Sequence, residues 1–452
     1  MLCKQSRTRP AREILMTHGT ESTRVHPAPA GALCDAFRQV RSWTEHLAAP
    51  LSAEDQVIQS MPDVSPCKWH RAHVTWFFET FVLKPHVPGY REYHPDFAFL
   101  FNSYYVSLGD RHRRPERGLV SRPSAAEVGA YRAWVDEAMV RLMSDADDAL
   151  LATIEPLVVL GLHHEQQHQE LMLMDIKHVF WSNPLRPAYR DETPPVAVPD
   201  EVQTEAWLTF DGGRFMIGSD IGSGSFRFGE FAYDNEGPRH EVLLGDFRLA
   251  TMPVTNADYL AFIADGGYRT PALWLSDGWD RACAEDWQAP LYWEQRDGQW
   301  WHMTLHGMQP VDPRAPVCHV SFYEAQAFAL WAGHRLPTEA EWERVAAEVP
   351  VSGNFVASGA LRPVPPAAEA DAPAALFGDV WEWTASPYTP YPGYRAPAGA
   401  VGEYNGKFMI NQMVMRGGAC VTPQSHMRSS YRNFFYPHMR WQFGGIRLAA
   451  DA

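Results

Sequence analysis

Six cysteines in 452 residues, with no C-x-x-C pair among them, leave this chain without the framework of a disulfide-stapled fold. Cys3, Cys34, Cys67, Cys283, Cys318 and Cys420 stand singly, which fits a reducing compartment. No apolar run approaches the roughly 18 residues that a membrane-spanning helix needs. Positive charge is scarce as well: 39 Lys and Arg against 54 Asp and Glu give a formal net charge of -15. That balance argues against a general nucleic-acid binder, which needs a basic face, but it permits a local basic pocket. The basic stretch 1–12 has no apolar segment behind it, so no secretory signal is expected. Met16 is an alternative start, and a cytoplasmic protein without nucleic-acid or membrane partners is expected.

What is present is the composition of a globular protein, 46% hydrophobic and 21% charged, long enough for two or three domains. Seventeen tryptophans are many for one chain. Most belong by default in cores, and some are expected to line pockets.

The stretch 161–170 organises the rest. His164 and His168 are four residues apart, so on a helix they project from one face and can grip one metal ion. Residues 162–181 contain no Gly or Pro, and Ser182-Asn183-Pro184 stops the helix. Leu171, Met172, Leu173, Met174 and Ile176 give it apolar surface. A lone pair at this spacing is more often structural than metal-binding. The segment also reads H-E-x-x-H over His164, Glu165 and His168, the zinc-protease pattern in which the Glu is the general base.

Three further helices precede it. Phe37, Val40, Trp43 and Leu47 recur at helical spacing over 30–48. Ser65 as N-cap and Pro66 at the first position open a second helix over 67–81, on which His70 and His73 are both possible third ligands. Ser124 and Glu127 form a capping box for a third helix to about Met143, and an apolar run broken by Pro156 leads into the metal helix. Four such helices point to a bundle, where facing helices can share a metal. The loop 90–118 carries Tyr104, Tyr105, Arg114 and Arg117; beside a metal its arginines could hold a carboxylate in bidentate fashion.

The predicted division is an extension 1–29, a bundle 30–189, a Pro-rich linker 190–204 and a second domain 205–452. The second domain has frequent Gly turns, short strands and helices over 256–264, 321–332 and 339–347, an irregular α+β pattern. The Ala/Pro tract 364–375 is expected to be an exposed loop.

Phe215-Met216-Ile217-Gly218-Ser219, Asn235-Glu236-Gly237-Pro238, Pro253-Val254-Thr255-Asn256 and the run from Arg335 to Glu343 occur in order with Gly378-Asp379-Val380-Trp381-Glu382-Trp383-Thr384 and Arg416-Gly417-Gly418. Together they resemble the formylglycine-generating-enzyme fold, a C-type-lectin-like module, although no cysteines are paired for that enzyme's copper chemistry. The first domain resembles the DinB-like four-helix bundle. Fused in this order, the two resemble the iron-dependent sulfoxide synthases of ergothioneine biosynthesis, on residues 65–81, 101–118, 163–170 and 431–448.

That resemblance implies an oxidoreductase with Fe(II) held by His73, His164 and His168, His70 being the alternative third ligand. It implies that O2 drives joining of a cysteine sulfur to N-α-trimethylhistidine (hercynine), with sulfoxidation. Gln167 and Asn433 match positions that hold the trimethylhistidine, and Phe434 and Phe435 are aromatic candidates for its quaternary ammonium. Arg114 and Arg117 match the pair that clamps the donor's carboxylate. Tyr104 and Tyr105 match a tyrosine pair of the cysteine-using branch, and Tyr105 is preferred as the proton donor. Phe435 stands where the branch using γ-glutamylcysteine has an acidic residue, which also favours cysteine. The alternatives are a related synthase using γ-glutamylcysteine, histidine as in ovothiol synthesis, or a selenium donor, and beyond these a zinc metalloprotease or a non-catalytic binding module.

Overall fold

Four helices pack around one apolar interior: α1 (Ala30–Ala48), α2 (Cys67–Phe78), α3 (Ala125–Asp145) and α4 (Asp148–Ser182). The computed structural model describes residues 30–192, 206–220, 226–367, 372–398, 402 and 405–452. The predicted extension, with Cys3, and most of the predicted linker lie outside the described residues. In the bundle α4 lies against α1 and α2, and α3 against α1 and α2. Phe37, Phe77, Phe78, Val135, Met139, Ile154 and Val158 fill the space between them. Among the described residues no helix is long and apolar enough to cross a membrane.

Local chemistry accounts for the helix starts, with two corrections. The Ser124 hydroxyl accepts the Glu127 N–H (3.2 Å) while the Glu127 carboxylate accepts the Ser124 N–H (2.7 Å), the reciprocal cap expected for α3. Ser65 does not cap α2. Pro66 occupies the cap position, and Ser65 is drawn instead to tertiary partners, giving its N–H to Asp175 (2.8 Å) and accepting from Arg117 (2.9 Å). Pro156 does not break the chain into α4 either. The helix runs through it, because burial of Leu151, Ile154, Val158 and Val159 outweighs the one backbone hydrogen bond that proline removes. Five residues on, Gly161 lets α2 and α4 meet closely; a Cβ there would stand 2.5 Å from the Phe78 ring.

The second domain is α+β, with short strands. Phe247–Ala250 lies between Trp207–Phe210 and Ala449–Asp451 in one antiparallel sheet. A second sheet runs Asn433–Phe435, Met413–Arg416, Trp381–Pro387 and Gly444–Gly445, its last pair parallel. Helices Asn256–Ala264, Phe322–Trp331 and Glu339–Ala346 sit where their patterns placed them, each opened by a reciprocal cap. The tract 364–375 departs from expectation: Pro365 and Ala374 are buried, while 368–371 lie outside the described residues.

Asp379 gives a stability prediction. It is buried with a positive φ of 55°, and its carboxylate accepts from the Asn354 amide (2.7 Å) and the Val364 N–H (2.9 Å). Burial nevertheless pushes its carboxyl up to about 6. A raised carboxyl favours the protonated folded state, so its contribution is complete below pH ~4 and disappears as pH rises to about 6. Asp379→Asn keeps the acceptor and tolerates the left-handed backbone. It should match wild type at pH 4 and exceed it by on the order of 2 kcal/mol at pH 7.5 in thermal or denaturant unfolding.

The second domain closes over one side of α4. Down that helix, Gln166 donates to Ser425 (2.7 Å), Gln167 to Tyr431 (2.7 Å), and Glu170 accepts from Trp381 (2.6 Å) and Thr422 (2.7 Å). Further along, Asp175 accepts from Trp441 (3.2 Å), and Lys177 meets His319 (2.6 Å). This helix is therefore buried between two domains.

Candidate metal centre and active site

His73 on α2 and His164 and His168 on α4 bring one ring nitrogen each to within 4.8 Å of one another. His73 and His164 are fully enclosed. His73 Nδ1 donates to the Phe101 carbonyl (2.6 Å), which leaves its buried Nε2 with a lone pair and no hydrogen-bond partner. Burial, reinforced by the facing His164, pushes the His73 imidazole well below its ordinary value; burial takes His164 down to about 3 and His168 well down. Three neutral imidazoles converging from two helices suit Fe(II), Zn(II) or a similar divalent ion, and the unpartnered Nε2 of His73 is a donor atom that such an ion would satisfy.

His70, the alternative third ligand, is occupied elsewhere. Its Nδ1 meets His168 Nδ1 (2.8 Å) and its Nε2 meets Asp175 Oδ2 (3.0 Å). A separation of three residues on α2 is enough to give His73 and His70 different neighbours.

Glu165, one residue past His164 and so about 100° round the helix, turns away from the trio. Its carboxylate accepts from Arg41 (2.8 Å), Thr44 (2.6 Å) and Arg132 (3.0 Å) in the closed interior of the bundle. A zinc protease needs that carboxylate beside the metal-bound site, so the protease reading of H-E-x-x-H is overturned.

His168 opens onto a cavity of about 630 Å³ between the domains, walled by Ser65, Trp69, His70, Ser103, Tyr104, Arg111, Arg113, Arg114, Arg117, Gln167, Asp175, Asn405, Phe408 and Phe434, among others. Arg117 is buried, donates to Ser65 (2.9 Å) and Ser103 (3.0 Å), and lies 3.3 Å over the Trp69 ring, against which His73 also stacks (4.6 Å). Among the described residues no carboxylate forms a salt bridge with it, although Asp175 is near enough to favour its charge. Burial and the neighbouring Arg114 raise the cost of its charge, a cost that a bound carboxylate would offset. Arg114 is exposed at the rim and donates to the Asp63 carbonyl.

The expected site residues do not all reach this wall. Gln167, Phe434, Tyr104, Arg114 and Arg117 do. Strand alternation brings Phe434 to the cavity, stacked on Tyr388 (3.9 Å), and turns its neighbours off it. Phe435 packs edge-on against Trp441 (5.4 Å), and the Asn433 carbonyl oxygen of the side chain accepts the Phe434 N–H (2.9 Å). Tyr105, preferred over Tyr104 from the sequence, is fully buried against Trp76 (5.6 Å) and Phe81 (5.1 Å), with Tyr104 between Tyr105 and Phe408. Of the two, Tyr104 is the one that lines the cavity.

Residues 36–172 match the DinB superfamily, and residues 193–372 and 374–452 match the Sulfatase-modifying factor enzyme 1-like domain. Over 424 residues the chain is 33% identical to the hercynine oxygenase of Mycolicibacterium thermoresistibile, covering 86% of this chain and 88% of that protein. The chain belongs to the hercynine oxygenase family. The hercynine oxygenase of Mycobacterium tuberculosis is 31% identical over 419 residues, covering 86% of this chain and 92% of that protein. The formylglycine-generating enzyme of Streptomyces coelicolor is 33% identical over 171 residues, which are 35% of this chain and 52% of that one. Membership joins a DinB-like helical bundle to a formylglycine-generating-enzyme-like domain in one enzyme.

Sequence reasoning missed Trp69, Ser65, Ser103, Asp175 and Phe408 as parts of the site. No local pattern marks them; they are recruited by where α2, α4 and two loops come together.

Proposed function

We propose that this enzyme joins the sulfur of cysteine to the imidazole ring of N-α-trimethylhistidine, with sulfoxidation, using Fe(II) and O2. The observation that carries the reading is the trio His73, His164 and His168, of which the first two are buried and His168 opens onto a cavity walled by arginines and aromatic rings. Fe(II) bound there would supply the one-electron chemistry that makes O2 reactive. The chain's own residues do the rest. Three protein ligands leave positions for substrates. Tyr104, Phe408 and Phe434 offer rings to a quaternary ammonium, which has no hydrogen to donate. Gln167, which donates to Tyr431, is assigned to orient the imidazole. Arg117, with Arg114 at the rim, receives the donor's carboxylate. Tyr104, on the cavity wall, is the phenol assigned to proton donation, with Tyr105 packed against it.

The test is oxygen consumption by Fe(II)-loaded protein with N-α-trimethylhistidine and, in separate arms, cysteine, γ-glutamylcysteine and a selenium donor. Uptake with cysteine and a sulfoxide product by mass spectrometry are expected. Turnover only with another donor would reassign the donor, and no uptake from iron-replete protein would overturn the activity. Arg117→Ala should raise KM for the thiol donor about 100-fold, the loss of charge-assisted hydrogen bonds, and change KM for the trimethylhistidine far less. Equal changes in both constants would remove Arg117 from the donor site.

A further inference from the structure

We infer that Asp175 is a positioning residue for the metal centre, and that Trp441 of the second domain acts on that centre through it. The inference rests on the ligand reading above and follows from an accounting of protons. A carboxylate only accepts, and Asp175 receives the Ser65 N–H (2.8 Å) and His70 Nε2 (3.0 Å) on one oxygen and the Trp441 Nε1–H (3.2 Å) on the other. His70 Nε2 therefore carries a hydrogen. In a neutral ring its Nδ1 is then the acceptor, so at the 2.8 Å contact His168 Nδ1 must be the donor. That assignment leaves the lone pair of His168 on Nε2, where a metal can take it.

Two of the three ligands differ in how this is achieved. His73 is fixed by a backbone carbonyl that no side-chain substitution can remove. His168 depends on a relay of side chains, Asp175 to His70 to His168, with Asp175 and His70 both buried. The relay also crosses the domain boundary. α4 supplies Asp175 and His168, α2 supplies His70, and Trp441, braced by Phe435 at 5.4 Å, reaches over from the second domain. The lectin-like domain thus helps to fix a ligand that belongs to the bundle.

The experiment is Co(II) binding to the full-length metal-free protein, measured by competition with a chromophoric chelator, for wild type, Asp175→Asn, Trp441→Phe and His73→Ala. Asp175→Asn should weaken Co(II) binding by about 10- to 100-fold. Trp441→Phe, which keeps the ring and loses the N–H, should weaken it by about 3- to 10-fold. In Trp441→Phe the metal-free unfolding midpoint should stay near wild type, which separates positioning from simple loss of structure. Unchanged Co(II) affinity in both variants, with affinity lost in His73→Ala, would overturn the relay and keep the ligand reading. Co(II) affinity indifferent to His73→Ala would overturn the ligand reading itself. Were Asp175→Asn to misfold, Trp441→Phe alone decides.

Discussion

His73→Ala protein, purified and reloaded, should hold no iron after desalting and should consume no oxygen with any thiol donor. On the proposed reading the substitution removes one of three ligands, the one that α2 contributes, and leaves two imidazoles on a single helix. A lost outer partner of a metal ligand already costs about 10- to 100-fold in affinity, so a lost ligand should cost more than about 100-fold. His73 also stacks between Trp69 (4.6 Å) and Trp76 (5.6 Å), so the indole that carries Arg117 should loosen as well. Iron content by metal analysis and oxygen uptake are the two measurements. Stoichiometric iron in the variant would return the third position to another residue. His70→Ala is the informative comparison: it should bind metal more weakly without abolishing binding, because His70 orients His168 rather than reaching the metal.

Glu165→Gln should unfold at a temperature roughly 10 °C lower than wild type. Burial alone would raise this carboxyl, yet the guanidiniums of Arg41 and Arg132 overcome that and hold it at about 2. Taking the charge away leaves two buried guanidiniums short of their shared counter-ion, which typically costs about 3–5 kcal/mol. In a domain of this size each kcal/mol moves the midpoint by about 2–4 °C. The sign of the pH dependence follows. A depressed carboxyl stabilises above its ordinary value near 4.5, and that stabilisation is lost as pH falls toward 2. Wild type should therefore lose stability through this acid range faster than the variant. A protease would show the opposite pattern, with chemistry lost and stability kept. An unchanged midpoint would refute the structural role of Glu165.

The sequence by itself determined a good deal. Helical periodicity over 30–48, the Ser124–Glu127 cap, and the His164–His168 spacing are consequences of local geometry, and they reappear in α1, α3 and α4. The ordered motifs of the second domain carried the family likeness that the comparisons established. The arginine and tyrosine pairs were visible as residue types on one loop. Tertiary structure decided the rest, because the deciding quantities are distances between segments far apart in the chain. Which of His70 and His73 joins His164 and His168 depends on what lies opposite each on α4. Tyr104 rather than Tyr105 meets the cavity because Trp76 and Phe81 enclose the other ring. Ser65 abandons its cap for Arg117 and Asp175, partners 52 and 110 residues away. The polar faces of α4, which in isolation read as solvated, are satisfied by Ser425, Tyr431, Thr422 and Trp441 of the second domain. Periodicity shows that a helix has such faces; only the fold supplies the groups that fill them.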